Sequence, residues 1–295
     1  MKLPNVYADG HFGLSFELFP PKTEAGEKAL YAHVDKLAAL SPSFITCTYG
    51  AGGSTQTKTL DILKQVKQNT KLPVASHLTC VGATRDDLRK YLTEAQAEGI
   101  DYIVALRGDP PKGETEFKPV ENGFSYANEL VSFIKDEFPS FGIAVAGYPE
   151  KHQEAPNMED DLANLKRKVD CGADSIVTQL FYCNEDFFRF RDRCQDLGIT
   201  QPIVPGLLPV TNLAQIKRIT SMCAAKLPTG FIEELGKNDD ADWQTKVGID
   251  FATRQVQELI DQGVPGLHFY VLNKSEATLQ VATQVSPPLS TLATT

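Results

Sequence analysis

The sequence predicts a (β/α)8 barrel of the TIM type, an α/β fold in a single domain. Three observations carry that prediction. Eight short apolar runs recur along the 295 residues, separated by segments whose apolar residues follow helical spacing. No G-x-G-x-x-G turn follows any of these runs, and "YGAGGST" (49–55) does not fit one, which counts against an open doubly wound sheet. Polar residues also gather late in several runs on a common alternation parity, as at the C-terminal mouth of a barrel.

In chain order, "LSFELFP" (14–20) is the first strand, stopped by Pro20 and Pro21, which cannot donate to a ladder. "EKALYAHVDKLAAL" reads as its helix, and "SFITCTYG" (43–50) as the second strand, followed by helical "QTKTLDILKQVKQ". "PVASHLTC" (73–80) and "DYIVALRG" (101–108) are the third and fourth strands, with "RDDLRKYLTEAQAEG" between them. A long loop, "PPKGETEFKPVENGF" (110–124), then precedes "GIAVAGYP" (142–149) and is expected to be functional. "DDLANLKRKVDCGA" is helical before "DSIVTQLFY" (174–182), and "PIVPGLLP" (202–209) and "GLHFYVLN" (266–273) complete the set. Gly99, Gly172 and Gly198 fall where helix C-caps are expected. An irregular insertion is expected at about 223–242. The barrel domain spans 1–285, and "SPPLSTLATT" (286–295) is expected to be a disordered tail.

Composition narrows the function classes. A net charge of −9 argues against nucleic-acid and anionic-membrane partners, though not against a local phosphate site. The N-terminus lacks the apolar core of a signal peptide, and no apolar run approaches the roughly 20 residues that span a bilayer. The six cysteines show no CxxC pair, which fits a reduced, cytoplasmic compartment. The five histidines form no HxH or HExxH, so no metal site is expected, and there is no GxSxG elbow or Walker A loop.

Alternation places Leu14, Phe16 and Leu18 towards the helices, and Ser15 and Glu17 into the barrel. The same logic gives a mouth lined by Glu17, Thr48, His77, Arg107, Asp109 and Gln179. A carboxylate in an apolar strand is costly unless paired or useful. Glu17 is therefore either an acid–base group or the structural ion-pair partner of Arg107. His77 is equally readable as a satisfied core histidine. Asp161, Asn164, Arg167 and Lys168 share one helical face, suited either to solvent or to a ribose and pyrophosphate.

The phrases "FELFPPKTEAG", "ITCTYGAGG", "SHLTCVGAT", "IVALRGDPP", "AGYPEKHQEA", "LKRKVDCGAD", "TQLFY", "PGLLPVTNLAQ" and "LHFYVLN" occur in order from about residue 14 to 275. Together they resemble the bacterial-type methylenetetrahydrofolate reductases, TIM-barrel flavoproteins that bind FAD without a Rossmann fingerprint. The resemblance implies flavin-dependent reduction of 5,10-methylenetetrahydrofolate to 5-methyltetrahydrofolate by ping-pong hydride transfer from NADH or NADPH. It also implies a role in feeding methionine synthesis and a homo-oligomer; with no long extension after the barrel, a separate C-terminal regulatory domain of the kind found in eukaryotic relatives is expected to be absent. By position, it makes Glu17 the general acid and Asp109 a catalytic carboxylate. Thr48, Tyr49, His77, Arg107, Gly108, Asp109, Tyr126, Ala127, Tyr148, His152, Asp161, Asn164, Arg167 and Lys168 become FAD-binding positions. Gln179, Gln215 and Lys274 become folate-binding positions. The family usually reads "FYTLNR" where this chain has "FYVLNK", so Lys274 keeps the charge of that position but not its bidentate fork. As a general acid, Glu17 is expected to have a pKa raised by its apolar strand. Two other classes fit the residues: a different flavin-dependent barrel oxidoreductase, and a catalytically idle ligand-binding barrel.

Overall fold

A computed structural model of the chain describes residues 2–8, 10–49, 56–110, 113–114 and 116–293. After a 3-10 turn (Leu3–Tyr7), strands and helices alternate: β1 Gly13–Leu18, α1 Glu24–Ala38, β2 Phe44–Cys47, α2 Gln56–Thr70, β3 Val74–Thr79, α3 Arg85–Ala97 and β4 Tyr102–Leu106. The second half continues with α4 Ala127–Glu137, β5 Gly142–Gly147, α5 Met158–Asp170, β6 Ser175–Thr178, α6 Asn184–Asp196, β7 Ile203–Val204 and β8 Gly206–Leu207. Next come α7 Leu213–Cys223, α8 Thr229–Leu235, α9 Ala241–Asp261, β9 Gly266–Tyr270, α10 Glu276–Gln284 and α11 Leu289–Leu292.

All strands pair in parallel, in the order β7-β6-β5-β4-β3-β2-β1-β9-β8. The nine strands among the described residues correspond to the eight expected, because β7 and β8 are one stretch interrupted by Pro205. Ile203 and Val204 pair with β6, while Gly206 and Leu207 pair with β9. Pro205 has no N–H to offer, but its carbonyl accepts from the His268 amide at 3.0 Å. A Cβ on Gly206 would stand 2.1 Å from the Thr178 carbonyl oxygen, so only glycine fits where the strand changes partner. With this bent strand the barrel closes.

The parity read from the sequence holds. Leu14, Phe16 and Leu18 are fully buried against the helix layer. Full burial of such side chains contributes roughly 1.5–3 kcal/mol each. The floor is sealed by Leu3, Val6 and Tyr7 packing on Phe44, Tyr102 and Val204. Thr23, Thr84, Asn157, Asn212 and Asp240 accept backbone N–H groups as N-caps, and Gly99, Gly172 and Gly198 follow helices with positive φ, as expected.

Two expectations are corrected. The stretch at 223–242 is not wholly irregular: it carries α8, whose Phe231 and Leu235 pack with Tyr182 and Leu208 in a separate apolar cluster. Residues 286–293 are not a frayed tail, because Leu289 on α11 is fully buried in the main core. The loop at 110–124 is described except at Pro111, Lys112 and Thr115, and Gly50–Thr55 of "YGAGGST" lie outside the described residues.

Candidate active site

Glu17 stands on the inward face of β1 and is only 6% exposed. Its Oε2 lies 3.2 Å from Nε2 of His77 on β3 and 3.6 Å from Nε2 of His268 on β9. Nδ1 of His268 hydrogen-bonds Ser15 Oγ at 2.8 Å, one alternation step below Glu17. Burial is the largest influence on Glu17 and pushes its pKa up. The two imidazoles together outweigh burial and bring it down from 4.5 to about 2. The expectation of a raised pKa is therefore corrected: the apolar strand acts as anticipated, but two histidines from other strands reverse its sign. The pairing with Arg107 is also overturned. Arg107 points to the rim, where Nη1 and Nη2 each donate to the Glu154 carboxylate at 2.6 Å and the guanidinium stacks 5.0 Å from the Phe117 ring.

Along the rim from β4 to α5 lies a second polar group. Gly108, with φ +88°, turns the chain after Arg107; a Cβ there would meet Val81 Cγ1 at 2.8 Å. The turn leaves Asp109 exposed. Tyr148 stacks edge-on to His152 (4.7 Å), and the His152 amide donates to Asp161 Oδ2 at 3.0 Å. Lys168 donates to the Ala146 carbonyl and lies 5.8 Å from the Tyr148 ring. Burial pulls the Lys168 ammonium down to about 8, opposed only in part by the Asp161 carboxylate. Burial likewise pushes the Tyr148 phenol up, with Asp161 and Asp109 adding to it.

The structure does not join every candidate to this group. Asp161 and Lys168 face inwards, whereas Asn164 and Arg167 are exposed and hydrogen-bond each other. Thr48 extends the β1–β2 ladder by donating its N–H to the Leu18 carbonyl (2.9 Å), and Tyr49 is buried edge-on against Tyr91. Tyr126, the N-cap residue of α4, presents a ring that is 62% exposed, and Ala127 opens that helix.

On the opposite rim, Gln215 and Lys274 line one cavity with Leu208, Ile219 and Tyr270. The Tyr270 ring stands edge-on to His268 at 5.2 Å, which links this cavity to Glu17, and its hydroxyl donates to the Thr178 carbonyl. Gln179 follows β6, and its Oε1 accepts from the Leu180 amide at 2.9 Å.

Sequence reasoning missed three residues at the site. His268 shares the inward parity of β9 with Tyr270, and applying the alternation test to "GLHFY" would have found it. Glu154 pairs with Arg107 across 47 residues of chain, with no local signal. Asn273 bonds the backbone of Phe19 through its side chain, 254 residues away.

The residues suit a dinucleotide flavin. A desolvated ammonium matched only in part by Asp161, beside two aromatic rings and a glycine turn, fits an anionic diphosphate with an attached ring system. The exposed Tyr126 ring and the Arg107 guanidinium supply further planar surfaces.

Comparison with known proteins gives four findings. The family model for methylenetetrahydrofolate reductase matches residues 2–286. The chain is 42% identical over 273 residues to the 5,10-methylenetetrahydrofolate reductase of Escherichia coli, covering 92% of this chain and 90% of that one. It is 38% identical to methylenetetrahydrofolate reductase (NADH) 1 of Arabidopsis thaliana, covering 95% of this chain but 49% of the plant protein. Among solved structures, a Clostridium thermocellum protein described as binding two copies of 5-methyl-5,6,7,8-tetrahydrofolic acid superposes with a TM-score of 0.64. At 13% identity, covering 96% of this chain and 98% of that one, it supports the fold alone.

Proposed function

The chain belongs to the methylenetetrahydrofolate reductase family and is an oxidoreductase of that kind; from that premise we propose how its site works. The electron donor is a reduced nicotinamide, NADH rather than NADPH, a choice supported by plant relatives whose names carry NADH. The two reductions proceed in turn at one site. Bound FAD supplies hydride transfer between the nicotinamide and the methylene carbon of the folate.

The protein's own residues hold, orient and protonate. Lys168 and Arg167 meet the FAD diphosphate. Thr48, Tyr49, His77, Gly108, Tyr126, Ala127, Tyr148, His152, Asp161 and Asn164 line the rest of its berth, with Arg107 closing the rim. Lys274 and Gln215 hold the folate carboxylate end, while Gln179, which can donate and accept, serves nicotinamide and folate in turn. Asp109 stabilises positive charge on the folate as its imidazolidine ring opens.

Ring opening needs a proton on the departing folate nitrogen, and Glu17 delivers it. Because Glu17 is held ionised in the free protein, that proton comes from His77 or His268, the titratable neighbours that touch it. The buried histidine–carboxylate–histidine group carries this reading: a purely structural ion pair would need one histidine. Cytoplasmic residence, assembly of several copies and supply of methyl groups for methionine synthesis belong to the same proposal.

The test separates the half-reactions. In Glu17→Gln, reduction of bound flavin by NADH survives while reduction of methylenetetrahydrofolate falls by about 10²–10⁴-fold. Equal loss in both would return Glu17 to a structural role. A colourless protein, inert to NADH, would instead favour an idle barrel.

A further inference from the structure

The turn after β9 is built against local preference. Leu272 and Asn273 both occupy left-handed backbone, with φ of +48° and +57°. Such a turn by itself would favour glycine, and leucine is poorly suited to it. What holds it is the Asn273 side chain: its Oδ1 accepts from the Phe19 amide at 2.8 Å and its Nδ2 donates to the Phe19 carbonyl at 2.7 Å.

This pair of bonds copies the way one strand binds its neighbour. The β1–β9 ladder ends at Glu17 opposite Tyr270. Asn273 continues it two residues further, where Pro20 and Pro21 follow and have no N–H to offer. Lys274 comes next in the chain, and its amide closes the turn on the Val271 carbonyl at 2.8 Å. One amide side chain therefore ties the end of the strand that carries Glu17 to the turn that carries Lys274.

We propose that Asn273 is a positioning residue that holds the proton donor and the folate-binding cation as one rigid unit. This rests on the roles given above to Glu17 and Lys274. A misplacement of about 1 Å at either group is enough to cost roughly 10²-fold in rate, so the clamp acts on folate chemistry. Nicotinamide oxidation needs no proton from Glu17 and no cation at Lys274, so it is spared.

The experiment uses the flavin-loaded enzyme. In Asn273→Ala, folate reduction at saturating substrate falls about tenfold or more, and 5-methyltetrahydrofolate binds severalfold more weakly by calorimetry. Flavin reduction by NADH stays within about twofold of wild type. Asn273→Asp is equally impaired at neutral pH but recovers relative to Asn273→Ala as the pH falls towards about 4, because the protonated carboxyl regains a donor for the Phe19 carbonyl. A lowered melting temperature with both half-reactions intact, or equal loss in both, overturns the proposal. Glu17→Gln, measured alongside, keeps the two readings apart. If it retains folate reduction, the acid role itself fails. If it loses folate reduction while Asn273→Ala does not, the clamp alone fails.

Discussion

Replacing Glu17 with Gln should flatten the acid limb of the protein's stability curve. In the folded protein His77 and His268 keep the Glu17 carboxyl at about 2, against an ordinary value of 4.5. A group whose folded pKa is depressed contributes stability that is fully present above the unfolded value and is lost as pH falls through the folded one. The window therefore runs from about pH 5 down to about 2. At roughly 1.4 kcal/mol per pH unit, the gap amounts to about 3 kcal/mol. Glu17→Gln removes only this carboxyl, so the difference between the two proteins reports it. Urea unfolding followed by circular dichroism at pH 5, 4, 3 and 2.5 measures it for both proteins. Wild type should lose about 2 kcal/mol more than Glu17→Gln between pH 5 and pH 2.5, the remainder falling below pH 2.5, with unchanged dependence on urea concentration. Parallel curves would mean that the histidines do not hold the carboxylate ionised, and the proton route through them would fall.

Two further outcomes follow from the geometry. In Gly248→Ala the new Cβ would stand 1.7 Å from the Val210 carbonyl oxygen, where α9 rests on the chain leaving β8. A cost of about 3 kcal/mol, seen as a melting temperature lower by roughly 5–10 °C, is expected in calorimetry. Lys168 carries its charge below about pH 8, so flavin affinity should weaken as pH rises past that value. Lys168→Arg should bind flavin without that pH dependence, and Lys168→Met should bind weakly at every pH, as measured by fluorescence of released flavin.

The barrel was legible because period-two alternation and helical spacing are local properties, and each strand carried its own signal. Ser15, Glu17 and His77 were placed by alternation, and the glycine caps by their position after apolar periodicity. The sign of the Glu17 shift was not legible, because it depends on imidazoles from β3 and β9 whose distances only the closed barrel sets. Glu154 and Asn273 were invisible for a similar reason: each acts on a partner far along the chain, through a turn with no spacing rule. Helix α8 escaped notice because seven residues are too few for a clear period, and its N-cap position holds Pro228 rather than a capping side chain. Leu289 was hidden inside a segment whose proline, serine and threonine content resembled a loose end.

The seam at β9 has a consequence for how the molecule is made. Until Gly266–Tyr270 arrives, β1 is an open edge on one side and β8 has no neighbour. A nascent chain that has folded everything up to α9 still presents β1 to other chains as an unfinished template. Glu17 in that intermediate has His77 but lacks His268, so a carboxylate sits half-paired in an apolar strand. Arrival of β9 thus ends the exposure of the edge and supplies the second imidazole in one event. Closure of the open edge and completion of the histidine pair around Glu17 are therefore acquired together, when β9 takes its place.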